Sequence, residues 1–109
     1  MRSKMNFLIV EDDALFASRL REFLEDLNIA SDIEKTLQGA LAKDLTNTKV
    51  AIIDVMLPND PTVSGISMEE TRGNYLSGIA LIRKLKVNYP DLQYILFSSE
   101  VAGGEARSW

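Results

Sequence analysis

Two short apolar segments that each end in carboxylates constrain the fold of this chain most. Residues 8–10 (Leu-Ile-Val) lead into a run of three acids, and residues 50–53 (Val-Ala-Ile-Ile) lead into one acid. Uninterrupted aliphatic runs are typical of strands buried on both faces of a parallel sheet. Because such strands end at the same edge, we expect their acids to meet in one cleft, where they need a cation or a proton to coexist. The four acids are Glu11, Asp12, Asp13 and Asp54.

The composition restricts the chemistry of that cleft. The chain has 109 residues, 46% hydrophobic and 26% charged, which is typical of one globular domain over residues 1–109. It has no cysteine and no histidine, which excludes disulfides, thiolate nucleophiles and histidine bases. The net charge of −4 argues against nucleic-acid binding. The N-terminal apolar run is too short for a signal peptide or a membrane span, so we expect a cytoplasmic protein without a membrane segment.

Strand and helix patterns alternate along the chain. This alternation predicts an α/β domain with a parallel sheet and helices on both faces. The predicted strands are residues 6–10, 30–35, 50–54 and 94–97, and the predicted helices are residues 14–27, 36–45 and 78–89.

The first helix has the clearest local signals. Asp12 or Asp13 is expected to cap its start, and Asn28 is expected to end it in the left-handed conformation. The apolar positions that we expect to pack on the sheet are Phe16, Leu20, Phe23, Leu24 and Leu27.

Ligands of an open parallel sheet bind at the carboxyl ends of its strands. This rule selects the four acids and also the hydroxyls of Ser98 and Ser99, which follow the fourth strand. Clustered carboxylates suit Mg²⁺, and an aspartate beside that ion can act as a nucleophile on phosphorus. A simpler role is open for two of these residues: Asp13 as a helix cap and Ser98 as a turn residue. Asp54 has no helix after it to cap.

Four segments together resemble the response-regulator receiver domain of two-component signalling. They occur in the family's order and cover most of the chain. The resemblance implies a flavodoxin-like receiver fold with sheet order 2-1-3-4-5. The segments are residues 8–13 (Leu-Ile-Val-Glu-Asp-Asp), 53–58 (Ile-Asp-Val-Met-Leu-Pro), 78–85 (Gly-Ile-Ala-Leu-Ile-Arg-Lys-Leu) and 95–99 (Ile-Leu-Phe-Ser-Ser).

The resemblance also implies a role for each site residue. Asp54 would accept a phosphoryl group from a sensor histidine kinase or a phosphotransfer protein. Asp12 and Asp54 would bind Mg²⁺, with Glu11 acting through water and Met56 through its backbone carbonyl. Asp13 would start a helix. Ser98 would be the switch hydroxyl that turns toward the phosphoryl group, and Ser99 the small residue after it.

One departure from the family is a long segment, residues 59–77, inserted after the phosphoacceptor strand. We favour a solvated, flexible loop over the alternative of a lid or a partner-docking element. Within it, Ser67 and Glu70 have the spacing of a capping box, which predicts a single helical turn.

A second departure is that the fifth strand and the last helices of a receiver are missing. The family's fifth-strand lysine is missing with them, and we expect no other lysine at the carboxyl end of a strand. The strand at residues 94–97 would then be an exposed apolar edge, from which we expect association, such as a homodimer. A truncated product, a dimer that rebuilds the missing part and a longer native protein all remain open.

The resemblance therefore predicts a phosphoacceptor switch and not an enzyme that turns over a separate substrate. One alternative is a pseudo-receiver, an interaction or dimerisation module that does not switch productively. Another is a magnesium-dependent phosphatase, which generally needs a second acid two residues after the nucleophile. That position is Met56 here, so the phosphatase is disfavoured.

Overall fold

The structure is a computed structural model that describes residues 5–98. Strands and helices alternate as predicted, and one short extra helix lies in the inserted segment. Ser99 lies outside the described residues. The prediction that a fifth strand is missing also falls outside them. The elements are β1 (Met5–Val10), α1 (Ala14–Asp26), β2 (Ile29–Glu34), α2 (Leu37–Leu41), β3 (Val50–Asp54), α3 (Pro61–Ser64), α4 (Ser77–Asn88) and β4 (Gln93–Phe97).

The four strands form one parallel sheet in the order β2-β1-β3-β4. This order agrees with the first four strands of the predicted 2-1-3-4-5 order. Val10 at the end of β1 lies opposite Glu34 of β2 and Ile53 of β3, and Asp54 lies opposite Phe97 of β4. The carboxyl ends of all four strands therefore meet at one edge of the sheet.

Hydrophobic cores on both faces confirm the predicted layering. On one face, Leu8 and Ile53 pack with Leu37 of α2 and Leu81 of α4, and all four side chains are fully buried. On the other face, Ile9 packs with Ala17 and Leu24 of α1. Because α2 and α4 cover one face and α1 covers the other, β1 and β3 are buried between two layers.

Helix α1 begins and ends as predicted but packs differently. Asp13 caps its start by accepting a hydrogen bond from the Phe16 N–H at 3.1 Å, and Asn28 after its end has a φ of 62°. The expectation that Phe23 and Leu27 face the sheet is wrong, since 60% and 56% of their surfaces are exposed. The apolar arc of α1 is thus wider than the surface on which the helix packs.

Helices α2 and α4 differ from their predictions in detail. Helix α2 ends at Leu41 and not at Leu45. Beyond its end, the Asp44 side chain accepts hydrogen bonds from the N–H and hydroxyl of Thr46, which favours a turn at residues 44–46. Helix α4 buries Leu81 and Leu85, whereas Ile82 is half-buried. Within residues 5–98, no helix is long and apolar enough to cross a membrane.

Buried side chains anchor the inserted segment to the domain, so it is not a wholly solvated loop, although most of its residues are exposed. Ile66 is fully buried in the core beneath α2 and α4, and Thr71 is also fully buried. Asn59 donates a hydrogen bond to the Ile66 carbonyl at 2.8 Å and accepts one from the Ser64 hydroxyl at 2.6 Å. The predicted turn after Ser67 is present, with the Ser67 hydroxyl accepting from the Glu70 N–H.

Candidate functional site

Three carboxylates converge at the carboxyl ends of β1 and β3. One side-chain oxygen from each of Glu11, Asp12 and Asp54 lies within 4.8 Å of the others. Glu11 and Asp54 are 1% exposed, whereas Asp12 is exposed at the rim. The topology therefore brings together the three acids that sequence reasoning assigned to the metal, in a cluster that is deep on one side and open on the other.

The end of β1 separates Asp13 from this cluster. The Glu11 N–H donates to the Glu34 carbonyl at 2.9 Å, which extends the β1–β2 ladder by one residue. The Glu11 carboxylate accepts from the Asp13 N–H at 3.1 Å, and the Asp13 side chain caps α1. Asp13 therefore serves as the helix cap, as the resemblance implied.

The end of β3 holds Asp54 in place through its backbone neighbours. The Asp54 carboxylate accepts a hydrogen bond from the Met56 N–H at 3.2 Å. The Val55 N–H donates to the Phe97 carbonyl of β4, and the Val55 carbonyl accepts from the Gly78 N–H of α4. Met56 thus lies directly beside the carboxylate, while the metal-binding role of its carbonyl stays a prediction.

Burial makes the cluster a proton-binding site when no cation is bound. Burial raises the pKa of Glu11 from 4.5 to about 8, aided by a hydrogen bond to Asp54 and by the charges of Asp54 and Asp12, while the Asp13 N–H acts in the opposite direction. A hydrogen bond between two carboxyl groups requires a proton on one of them. The raised pKa therefore favours the protonated form of Glu11 when no cation is bound.

The donor set fits a hard divalent cation. All three side chains offer carboxylate oxygens, the ligands that Mg²⁺ prefers, and a cation can replace the proton that relieves their mutual repulsion. The exposure of Asp12 leaves one side of the cluster open for water or a phosphate oxygen. Glu11, Asp12 and Asp54 are the residues that would hold the ion.

Ser98 directly follows β4, the strand that pairs with β3. Since Asp54 lies opposite Phe97 in the β3–β4 ladder, Ser98 follows one position beyond that pair. Its hydroxyl is buried and makes no hydrogen bond within residues 5–98. A buried hydroxyl without a partner is uncommon in folded proteins, and its position makes it a candidate donor to a group bound at Asp54.

The lysines require one correction. Strand β2 ends at Glu34, so Lys35 follows the carboxyl end of a strand, contrary to expectation. Lys35 follows β2 and Asp54 ends β3, and β1 lies between these two strands in the sheet. Lys43 forms ion pairs with Asp32 and Glu34 of the same edge strand.

Two residues that sequence reasoning did not assign to the site support it at the start of α4. The Ser77 hydroxyl is fully buried and accepts a hydrogen bond from the Leu57 N–H at 2.6 Å. Gly78 lies against the backbone of Asp54 and Val55. A serine followed by glycine carries no signal that distinguishes this arrangement from an ordinary turn.

Comparison with solved structures identifies the fold. No family model matches the chain, and the comparison with curated proteins gave no match. The non-phosphorylated HemR receiver domain from Leptospira biflexa matches with a TM-score of 0.68 at 20% identity, over 93% of this chain and 69% of that one. A CheY-like receiver domain protein from Methanospirillum hungatei JF-1 matches with a TM-score of 0.70 at 21% identity, over 94% and 70%.

A third match is the MaeR response regulator bound to beryllium trifluoride. Its TM-score is 0.61 at 22% identity, over 89% of this chain and 69% of that one. These likenesses confirm the predicted flavodoxin-like receiver fold of the response regulators.

Proposed function

We propose that this chain is a phosphoacceptor receiver module of a two-component phosphorelay. Asp54 accepts the phosphoryl group from a sensor histidine kinase or a phosphotransfer protein, which it meets in the cytoplasm. The observation that carries this proposal is the convergence of Glu11, Asp12 and Asp54 within 4.8 Å at the carboxyl edge of a receiver-type sheet. Mg²⁺ is the proposed cofactor, held by these carboxylates and by the Met56 carbonyl.

In the proposed reaction, one Asp54 oxygen forms a bond to phosphorus while the bond from phosphorus to the donor's histidine nitrogen breaks. The Met56 N–H orients the Asp54 carboxylate by its hydrogen bond. Bound Mg²⁺ would neutralise charge on the phosphoryl oxygens. Glu11 is one of the carboxylates that would hold the ion, and a bound cation would favour its ionised form, as it would take the place of the proton beside the buried carboxylates.

After transfer, the added charge lies beside Ser98. Its buried hydroxyl, unpartnered within residues 5–98, would donate to a phosphoryl oxygen and reorganise the end of β4. The chain itself accepts the group and has no separate substrate, so we propose a switch and not an enzyme.

Incubation with Mg²⁺ and acetyl phosphate, followed by intact-mass measurement, tests the proposal. Wild type should gain one phosphoryl group and Asp54→Asn none. Asp60→Asn is the matched control, since Asp60 caps α3 outside the cluster, and it should be phosphorylated like wild type. A wild-type mass that does not change would contradict the phosphoacceptor function, and repeated turnover of a phosphate ester would indicate a phosphatase.

A second function, association through the β4 edge, is favoured by exposed apolar side chains there. Ile95 and Leu96 are 49% and 42% exposed, and as consecutive strand residues they point to opposite faces of the sheet. Within residues 5–98, β4 is the outer strand of the sheet, and an outer apolar strand is a template for pairing with another chain. We propose that a second copy of the chain pairs with β4. The same pairing would occur in a pseudo-receiver, which dimerises without productive switching.

Sedimentation velocity over a range of concentrations tests this association. Wild type should form a dimer that Leu96→Lys disrupts. Val87→Lys is the control, because Val87 is 78% exposed on α4, away from the edge. A wild-type monomer at all concentrations would exclude the proposed pairing.

A further inference from the structure

Ser77 connects the inserted segment to the loop that follows Asp54. Its side chain is fully buried at the start of α4. The hydroxyl oxygen accepts from the Leu57 N–H at 2.6 Å and lies 2.8 Å from the Leu57 carbonyl and 3.0 Å from the Asn74 carbonyl, both acceptors for its proton. The hydroxyl thus accepts from the Leu57 N–H, and its single proton has two acceptors, the carbonyls of Leu57 and Asn74.

The bond to the Leu57 N–H has a consequence for Met56. A trans peptide unit is planar, and its C=O and N–H point in opposite directions. The Met56 carbonyl belongs to the same peptide unit as the Leu57 N–H. A donor N–H directed at Ser77 therefore fixes the Met56 carbonyl to point away from Ser77.

The neighbouring peptide units are fixed as well. The Val55 carbonyl accepts from the Gly78 N–H at 2.9 Å, and the Met56 N–H donates to the Asp54 carboxylate at 3.2 Å. The loop from Val55 to Leu57 is therefore bonded to both the phosphoacceptor and the first turn of α4. Ser77, the last residue of the inserted segment, also lies within hydrogen-bonding distance of the Asn74 carbonyl in the turn before α4.

A left-handed turn in the inserted segment places the Asn74 carbonyl near Ser77. Arg72, Gly73 and Asn74 have φ values of 54°, 66° and 74°, so the chain makes a left-handed turn just before α4. The turn is closed by the Leu76 N–H, which donates to the Thr71 carbonyl at 2.7 Å. This turn presents the Asn74 carbonyl to Ser77.

We propose that Ser77 is a positioning residue that orients the Met56 carbonyl for the cation and couples that carbonyl to the inserted segment. This inference rests on the proposed function, because it assigns the Met56 carbonyl to the Mg²⁺ site. Groups that orient metal ligands typically change metal affinity by about 10- to 100-fold when they are removed.

The experiment is calorimetric Mg²⁺ titration of the full chain, with amide hydrogen exchange measured on the same samples. Ser77→Ala should weaken Mg²⁺ binding by about 10-fold and speed exchange at the Leu57 amide. Ser64→Ala is the matched control. It removes a serine hydroxyl with two hydrogen bonds inside the same segment, to Asn59 and from Ile66, without touching the loop after Asp54. Its Mg²⁺ affinity should equal that of wild type.

The outcomes separate this inference from the proposed function. If wild type binds Mg²⁺ and is phosphorylated, and Ser77→Ala loses stability but binds Mg²⁺ equally well, Ser77 is only structural and the inference is wrong. If wild type binds no Mg²⁺ and gains no phosphoryl group, the proposed function fails and the inference fails with it. Should alanine prevent folding, Ser77→Cys replaces the hydroxyl by a weak hydrogen-bonding thiol of similar shape and should show the same loss of affinity.

Discussion

Gly78 lies directly against the backbone of Asp54. A Cβ on residue 78 would collide with the Asp54 carbonyl oxygen and lie 2.9 Å from both the Asp54 carbonyl carbon and the Val55 Cα. These neighbours are backbone atoms of β3, which cannot rotate away. The absence of a side chain at Gly78 therefore lets the first turn of α4 approach the strand end that carries Asp54, the proposed phosphoacceptor.

Gly78→Ala should destabilise the fold by about 1–3 kcal/mol, the usual range for overpacking, and displace Asp54. Urea unfolding would measure the first effect and Mg²⁺ titration the second. Gly39→Ala is the control, because its closest neighbour would be the flexible end of the Glu34 side chain. That variant should change stability by less than about 1 kcal/mol. Equal effects of the two substitutions would contradict the packing argument.

The stability of the metal-free protein should fall as pH rises from 4.5 to about 8. The pKa of Glu11 is raised from 4.5 to about 8 by burial, so across this window the folded state holds more protons than the unfolded chain. Urea unfolding at several pH values would measure the slope. Glu11→Gln should lose this contribution, and saturating Mg²⁺ should reduce it in wild type. If the free energy of unfolding depends on pH equally in wild type and Glu11→Gln, Glu11 is not the group responsible.

Asp13→Ala should lower stability by about 1 kcal/mol through loss of the cap on α1. Its Mg²⁺ affinity should stay close to that of wild type, because the Asp13 side chain is outside the carboxylate cluster. Asp12→Asn, in contrast, should weaken Mg²⁺ binding. Thermal unfolding and calorimetry together separate the two roles, and a large loss of Mg²⁺ binding in Asp13→Ala would show that Asp13 is a ligand after all.

Ile66→Ala should destabilise the protein by about 2–5 kcal/mol, since it truncates a fully buried side chain in the core. Val63→Ala in the same inserted segment should change stability by less than about 0.5 kcal/mol, because Val63 is 69% exposed. Chemical denaturation measures both. Near-wild-type stability of Ile66→Ala would mean that the segment does not pack on the domain in solution.

Ser98→Ala should leave Mg²⁺ affinity unchanged and weaken binding of beryllium trifluoride, a stand-in for the phosphoryl group. The loss of a hydrogen bond to a charged group corresponds to about tenfold or more in affinity. Ser98→Thr keeps the hydroxyl and should bind like wild type. Calorimetry in the presence of Mg²⁺ measures the affinity for beryllium trifluoride. If Ser98→Ala binds it as tightly as wild type, Ser98 is not the switch hydroxyl.

The alternation of strands and helices was predictable because it depends on local signals. Apolar runs, helical spacing, the cap at Asp13 and the left-handed Asn28 all act within a few residues of the chain. The convergence of Glu11, Asp12 and Asp54 was predictable as well, since parallel strands end at a common edge. Local sequence patterns, together with the rule that parallel strands end at a common edge, were sufficient to predict these features.

Other features depended on contacts between distant parts of the chain. Phe23 lies in an amphipathic helical pattern and Ile66 in a polar loop, yet Phe23 is 60% exposed and Ile66 is fully buried. Which of them is covered depends on the neighbours that the fold supplies. The raised pKa of Glu11 likewise arises from burial beside Asp54, and the role of Ser77 arises from a backbone group 20 residues earlier.

The sequence by itself therefore determined the order of the elements and the acids at the strand ends, because hydrophobic period, capping and strand direction are properties of short segments. Only the tertiary structure decided that the inserted segment packs into the core, that Gly78 lies against Asp54 and that Ser77 bonds Leu57. The physical reason is that burial and hydrogen bonding between distant segments exist only once the chain has closed around its sheet.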